Sequence, residues 1–130
     1  MAKRLTYAMV GGGPDGFIGD AHRRAIGLDG TAAIAAGVFS RNREKSLQMA
    51  ESLGISPDRC YEDYQTMARA EGEREDGIDF VTVVTPNQSH YEICRAFLEA
   101  GIHVVCDKPV TTTYRQAKEL EALAEDKGLL

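Results

Sequence analysis

The sequence predicts an α/β domain, a doubly wound, mainly parallel sheet with helices on both faces. Three observations carry that prediction. Short apolar runs recur at 5–10, 31–39, 78–85 and 102–106, the pattern of strands buried on both faces. Between them lie segments of helical period, closed by Gly30, Gly54, Gly101 and Gly128. The first run ends in Gly11-Gly12-Gly13 and passes into a helical segment, so strand, tight turn and helix follow one another without a linker.

That first unit organises the rest. A turn this tight needs residues without a Cβ, and a helix starting there aims unpaired backbone N–H groups and a positive dipole end at whatever sits above it. The result is a cradle for an anion, best suited to a pyrophosphate. Gly11-x-Gly13-x-x-Gly16 fits G-x-G-x-x-G literally, but the spacing also continues to Gly19. The working set is Gly11, Gly13 and Gly19, with Gly19 packing the helix. Ile18, Ala21, Ala25 and Leu28 then form the helix's inner stripe, and residues 14–17, ending in Phe17, bulge over the phosphates. His22 falls in the first helical turn, where packing is the favoured role over a cofactor contact.

The second run, small and apolar, ends at Ser40-Arg41-Asn42-Arg43. An NAD-binding fold of this type places an acid about 20 residues after the last glycine for the ribose 2′-hydroxyl, whereas an Arg accommodates a 2′-phosphate. Here a hydroxyl and two guanidiniums come before any acid, which first arrives at Glu44. NADP is therefore favoured, with NAD possible. Residues 44–53 form the second helix, with Leu47, Ala50 and Leu53 inward. A short third strand is expected at 59–61 and a helical stripe at Tyr64, Met67 and Ala68, dissolving into a solvated charged loop from Glu71 to Gly77.

The run at 78–85 is the clearest strand, stopped by Pro86. Asn87 then begins a helix with Cys94, Phe97 and Leu98 inward, so Thr85-Pro86-Asn87-Gln88-Ser89-His90 lies where strand meets helix, the edge at which open α/β sheets bind ligands. Plain capping by Asn87 is the competing reading. The strand at 102–106 delivers Asp107-Lys108-Pro109 to the same rim. A last helix opens with a Thr113/Gln116 capping box and buries Ala117, Leu120 and Ala124. Leu129-Leu130 reads as the first step of a sixth strand.

Composition narrows the classes further. The 130 residues fit one domain, and 15 basic against 20 acidic residues leave a net charge of -5, with no basic cluster for nucleic acid or an anionic membrane. No apolar run approaches a membrane span of about 20 residues. A cytoplasmic protein is expected. Cys60, Cys94 and Cys106 show no metal-ligand spacing, and no metal site is expected; Cys106 reads as a small core residue rather than a nucleophile.

The glycine turn, Ser40-Arg41, Thr85-Pro86-Asn87 with His90, and Asp107-Lys108-Pro109, in this order, resemble the Gfo/Idh/MocA oxidoreductase family of glucose-fructose oxidoreductases and inositol dehydrogenases. The likeness covers essentially the whole chain. It implies an NAD(P)-binding Rossmann domain over 1–130, truncated before or at the sixth strand, with the substrate domain absent from this chain. It also implies hydride transfer between nicotinamide and a secondary alcohol of a sugar, polyol or inositol-like substrate. The family's Glu-Lys-Pro lysine corresponds to Lys108, which would hold and polarise the reacting oxygen. Gly11, Gly13, Phe17, Ile18 and Gly19 would serve the pyrophosphate, Ser40 and Arg41 the adenosine ribose, and Thr85, Pro86, Asn87 and His90 the central crevice. Asp107 stands where the family has Glu, one methylene shorter, beside the second ribose.

A rival reading is a dinucleotide sensor or interaction module without chemistry, against which Lys108 argues. A methyltransferase-like domain would want an acid after the second strand, and Ser40-Arg41 does not supply one. Without its substrate half the chain is expected to bind cofactor but not to turn over. An unpaired sheet edge near Leu130 leads to the expectation of a homo-oligomer.

Overall fold

The computed structural model describes residues 2–130 and realises the expected architecture. In chain order the elements are β1 (Leu5–Gly11), α1 (Ile18–Gly27), β2 (Ala32–Val38), α2 (Arg43–Ser52), a 3-10 turn (Pro57–Arg59) and α3 (Tyr64–Glu73). There follow β3 (Phe80–Val84), a second 3-10 turn (Asn87–Ser89), α4 (His90–Glu99), β4 (His103–Cys106) and α5 (Tyr114–Lys127). The strands pair in the order β2-β1-β3-β4, all parallel. The order reverses on either side of β1, so a crevice opens between the β1 and β3 ends.

Alternation along the strands builds two cores. Ala8, Val10, Val81 and Val83 face α3, α4 and α5, packing with Met67, Phe97, Leu98 and Leu120. Tyr7 and Met9 face the other way, with Phe39, Ala50 and Ile55, and Tyr7 stacks on its strand partner Phe80 at a centroid distance of 5.2 Å. Burial on both faces is what the continuous apolar runs require.

The structure corrects four expectations. The third strand at 59–61 is a single parallel bridge, Gly37 to Cys60, because Pro57 and Asp58 wind the approach into a 3-10 turn. It lies outside β2, where a third strand belongs. In α1 the inward face is Ile18, as expected, with Gly19, His22, Arg23 and Ile26, while Ala21, Ala25 and Leu28 are exposed, Leu28 by 88%. In α2 the buried positions are Ser46 and Ala50, and Leu47 lies at the surface; Ser46 Oγ accepts from the Phe39 N–H at 3.0 Å, a bond that hydrophobic periodicity cannot signal.

The fourth correction is Glu71. It lies inside α3 and is 2% exposed. Its carboxylate accepts from Arg59 Nε at 2.9 Å and Nη2 at 2.6 Å, from the Tyr61 hydroxyl at 2.9 Å, and from the Ile78 N–H at 3.2 Å. A buried carboxylate is tolerated because every neighbour donates to it. At the outer edge of the sheet the Leu130 carbonyl accepts from Val104 N at 2.9 Å, so the chain's last residue runs beside β4 as the reading of Leu129-Leu130 expects.

Candidate functional site

All five helices begin at the edge of the sheet where the strands end, but they begin differently. Asn42, Asp63 and Thr113 each accept a backbone N–H of their own helix: α2, α3 and α5 are capped by side chains. The start of α1 at Phe17 and the Pro86 start of the Asn87–Ser89 turn have no side-chain cap. Unpaired N–H groups therefore converge where β1 and β3 end.

The glycine turn is built for close approach. Gly11 and Gly12 hold φ of +90° and +75°, conformations that a side chain disfavours. A Cβ on Gly19 would stand 2.4 Å from the Gly12 Cα, one on Gly13 would stand 2.8 Å from the Phe39 carbonyl oxygen, and one on Gly16 would meet nothing. The three-residue expansion of the turn thus falls between Gly13 and Gly19, and Gly12, absent from the sequence-based set, belongs with the structural glycines. Arg23 reaches back from α1 and donates to the Gly12 carbonyl at 3.0 Å, steadying the turn from below. The bulge is tethered by Asp15 to Lys45 at 2.6 Å, and Phe17 is 84% exposed.

Beside the turn lies a cleft of about 710 Å³. Gly11, Ser40, Arg41, Thr85 and Pro86 line it, as do Gln88 and Ser89 of the same strand-end segment, Tyr64, which the sequence reading placed only in a helical stripe, and Glu62, which it did not single out. Ser89 Oγ lies 2.7 Å from Thr85 Oγ1 and donates to the Pro86 carbonyl at the same distance, fixing the loop. Arg41 makes no ion pair among the described residues, whereas Arg43 is occupied: its Nη1 donates to the Cys60 carbonyl at 2.7 Å. Of the two arginines, Arg41 has all its donors uncommitted among the described residues, and Arg43 has one nitrogen tied to the backbone.

Asn87, Asp107 and Lys108 lie outside that cleft, at the ends of β3 and β4. Asn87 does not cap; its Oδ1 is buried without a hydrogen-bond partner, a costly state for an amide unless a ligand completes it. Asp107 donates its N–H to the Val83 carbonyl at 2.9 Å, and its carboxylate stands 3.5 Å from His22 Nε2. Lys108 is exposed and makes no ion pair among the described residues, and the peptide bond to Pro109 is cis. His90 departs from the sequence reading. It is 1% exposed and does not line the cleft, its two ring nitrogens lying 2.8 Å from the Thr85 carbonyl oxygen and 2.9 Å from that of Pro109. Cys106 is half-buried against Cys94, whose thiol is pushed up by that contact and by burial.

The edge of the sheet thus presents a cation in a cleft of about 710 Å³, a cradle of bare N–H groups, an amide oxygen without a partner and, among the described residues, an unpaired ammonium. Comparison with known proteins gives the same direction. Residues 5–130 match the profile of an oxidoreductase family described as having an NAD-binding Rossmann fold, Gfo/Idh/MocA. An uncharacterized oxidoreductase of Bacillus subtilis, YfiI, is 46% identical over 129 residues, covering 98% of this chain and 33% of the relative. The crystal structure of an inositol dehydrogenase homolog from Azotobacter vinelandii, complexed with NADH and myo-inositol, superposes with a TM-score of 0.95 at 42% identity, over 98% of this chain and 34% of that one. A B. subtilis scyllo-inositol 2-dehydrogenase (NADP(+)), IolW, is 43% identical over 53 residues, 41% of this chain and 15% of the relative. The chain therefore spans about a third of the length of the relatives that it matches throughout.

Proposed function

The chain belongs to the Gfo/Idh/MocA oxidoreductase family and is an NAD-binding Rossmann domain; from that premise we propose that it is the cofactor half of a dehydrogenase acting on a secondary alcohol of a sugar, polyol or inositol-like substrate. The observation that carries the proposal is the free ammonium of Lys108 on the same edge as the uncapped glycine turn. The turn's N–H groups and the α1 dipole hold the pyrophosphate. Ser40 and Arg41 take the adenosine ribose. The orphan Asn87 Oδ1 accepts from the second ribose or the nicotinamide amide. Lys108 donates to the substrate oxygen and stabilises charge developing there, while the bound nicotinamide supplies the hydride chemistry. Asp107, held at the end of β4 by its N–H on the Val83 carbonyl, takes the second ribose.

The proposal extends to cofactor choice. Arg41, unpaired and at the ribose end of the cleft with no acid at the end of β2, favours NADP over NAD. The A. vinelandii homolog is complexed with NADH and the IolW enzyme is named for NADP(+), so both occur among relatives. Alone, the domain binds dinucleotide without turnover, and the outer edge of β4, where the Leu130 carbonyl takes the Val104 N–H, is where copies of the whole protein would associate.

Calorimetry at fixed salt tests this. The chain should bind NADPH more tightly than NADH, and Arg41→Asp should lose on the order of 1.5–3 kcal/mol toward NADPH only. Equal affinities in both proteins sink the NADP preference; no binding of either dinucleotide sinks the cofactor-half reading itself.

A further inference from the structure

We infer that His90 is a positioning residue for Lys108, a strut that sets the gap between the turn at Thr85–Asn87 and the turn at Asp107–Pro109. The inference rests on the reading of Lys108 as the group that meets the substrate oxygen, and it concerns what holds that lysine in place.

Lysine carries its charge on a flexible four-carbon stem, and Lys108 has no partner among the described residues to fix it. Its direction therefore depends on the backbone on each side of it. On the N-terminal side, Asp107 is held twice, by its N–H on the Val83 carbonyl at 2.9 Å and by its carboxylate 3.5 Å from His22. On the C-terminal side, the Pro109 carbonyl lies 2.9 Å from His90 Nδ1, and the next contact is a long one, Cys106 Sγ to the Val110 carbonyl at 4.0 Å. The same imidazole reaches the Thr85 carbonyl at 2.8 Å with its other nitrogen.

Both nitrogens of a buried imidazole need partners, and His90 takes its two from two different loops. Here the two acceptors are 24 residues apart in the chain, and each flanks a residue of the candidate site: Thr85 precedes Pro86-Asn87, and Pro109 follows Lys108. A neutral ring donates to one of the carbonyls and a ring protonated at both nitrogens donates to both. In either form the rigid ring fills the space between the turns, so a change at one turn is felt at the other. Precise placement of a reacting group matters more than its mere presence, which is why a strut below the surface can govern a group above it.

The test uses the whole chain with its lysines reductively ¹³C-methylated, a change that keeps their charge, and the Lys108 signal assigned by Lys108→Arg. In the unsubstituted chain that signal should shift on adding NADPH and, in the complex, relax as a restrained group. In His90→Phe, which keeps the ring shape but not the nitrogens, dinucleotide binding should persist while the Lys108 shift is lost and its methyl relaxation becomes that of a free lysine. His90→Gln, with one amide donor, is read in the same way should the Phe variant not fold, and is expected to fall between the two. A folded variant with the full Lys108 shift and unchanged relaxation overturns the inference. If the Lys108 signal of the unsubstituted chain ignores NADPH, the reading of Lys108 fails by itself, and backbone amide relaxation at Asp107 and Lys108 in the free chain, restrained with His90 and loosened in His90→Phe, still decides for or against the strut.

Discussion

The two ends of the sheet are built on opposite rules. Where strands begin, charges are paired: the Glu71 side chain is wholly enclosed and takes bonds from Arg59, Tyr61 and Ile78, and the half-buried Asp79 accepts from the Thr6 N–H at 2.8 Å, which holds its carboxyl below the usual range. Where strands end, beside pairs such as Asp15 with Lys45, several polar groups stand without partners among the described residues: Arg41, Lys108, the Asn87 amide oxygen, and the first N–H groups of α1. One end spends its polar groups on holding α3 and the 57–61 segment to the sheet. The other withholds them, and unsatisfied groups collected along one edge are a binding surface. The contrast also explains why charge alone in the sequence misleads, since Glu71 and Lys108 look equally solvated there.

The comparison breaks most visibly at Glu71. Glu71→Ala leaves the Arg59 guanidinium half-buried beside an empty space, and loss of one partner from a buried pair costs about 3–5 kcal/mol. Urea denaturation should show that loss, while dinucleotide affinity of the folded fraction stays put; an effect under 1 kcal/mol would mean that the pair is solvated. Gly19→Ala, at the other end, should do the reverse. Its Cβ would meet the Gly12 Cα at 2.4 Å and push the turn off α1, an overpacking cost of about 1–3 kcal/mol that should also appear as weakened dinucleotide binding. Gly16→Ala, which meets nothing, is the matched control.

The smallest effect is at alkaline pH. Burial first, then its hydrogen bond to Glu71, push the Tyr61 hydroxyl up to about 12. The folded pKa lies above the ordinary 10, so the contribution to stability is complete below pH 10 and fades as pH rises from 10 through 12. Phenolate absorbance should show Tyr61 titrating late, and Tyr61→Phe should flatten the loss of stability across that window. If both proteins lose stability alike, the hydroxyl does not serve the buried end.

Much of this was legible in the residues, because the signals are local. A tight glycine turn between an apolar run and a helical period, the position of Arg41, and the rims at Thr85 and Asp107 all follow from backbone conformation and strand period, which a few neighbouring residues determine. The Thr113 half of the capping box appears as read, with Thr113 Oγ1 accepting from Gln116 N at 3.1 Å, while the Gln116 side chain takes the Thr112 hydroxyl at 3.0 Å instead of reaching back to the Thr113 N–H.

Only the tertiary structure decided what depends on distant partners. The α1 sequence offers two stripes, and the one rich in alanine and leucine faces out, because the near contact of Gly19 with Gly12 sets the helix's rotation before side-chain hydrophobicity can. Arg43 looks as free as Arg41 until the Cys60 carbonyl comes to meet it, and the charged run from Glu71 looks solvated until Arg59 and Tyr61 fold across it. His90 reads as a ligand residue in a strand-end motif and becomes a strut because Pro109, 19 residues away, brings a carbonyl to its second nitrogen. Period and turn chemistry are properties of a short stretch of chain, so the sequence by itself determined the layers and the binding edge. A burial partner is a property of two stretches brought together, and for these residues the chain's folding alone chose it.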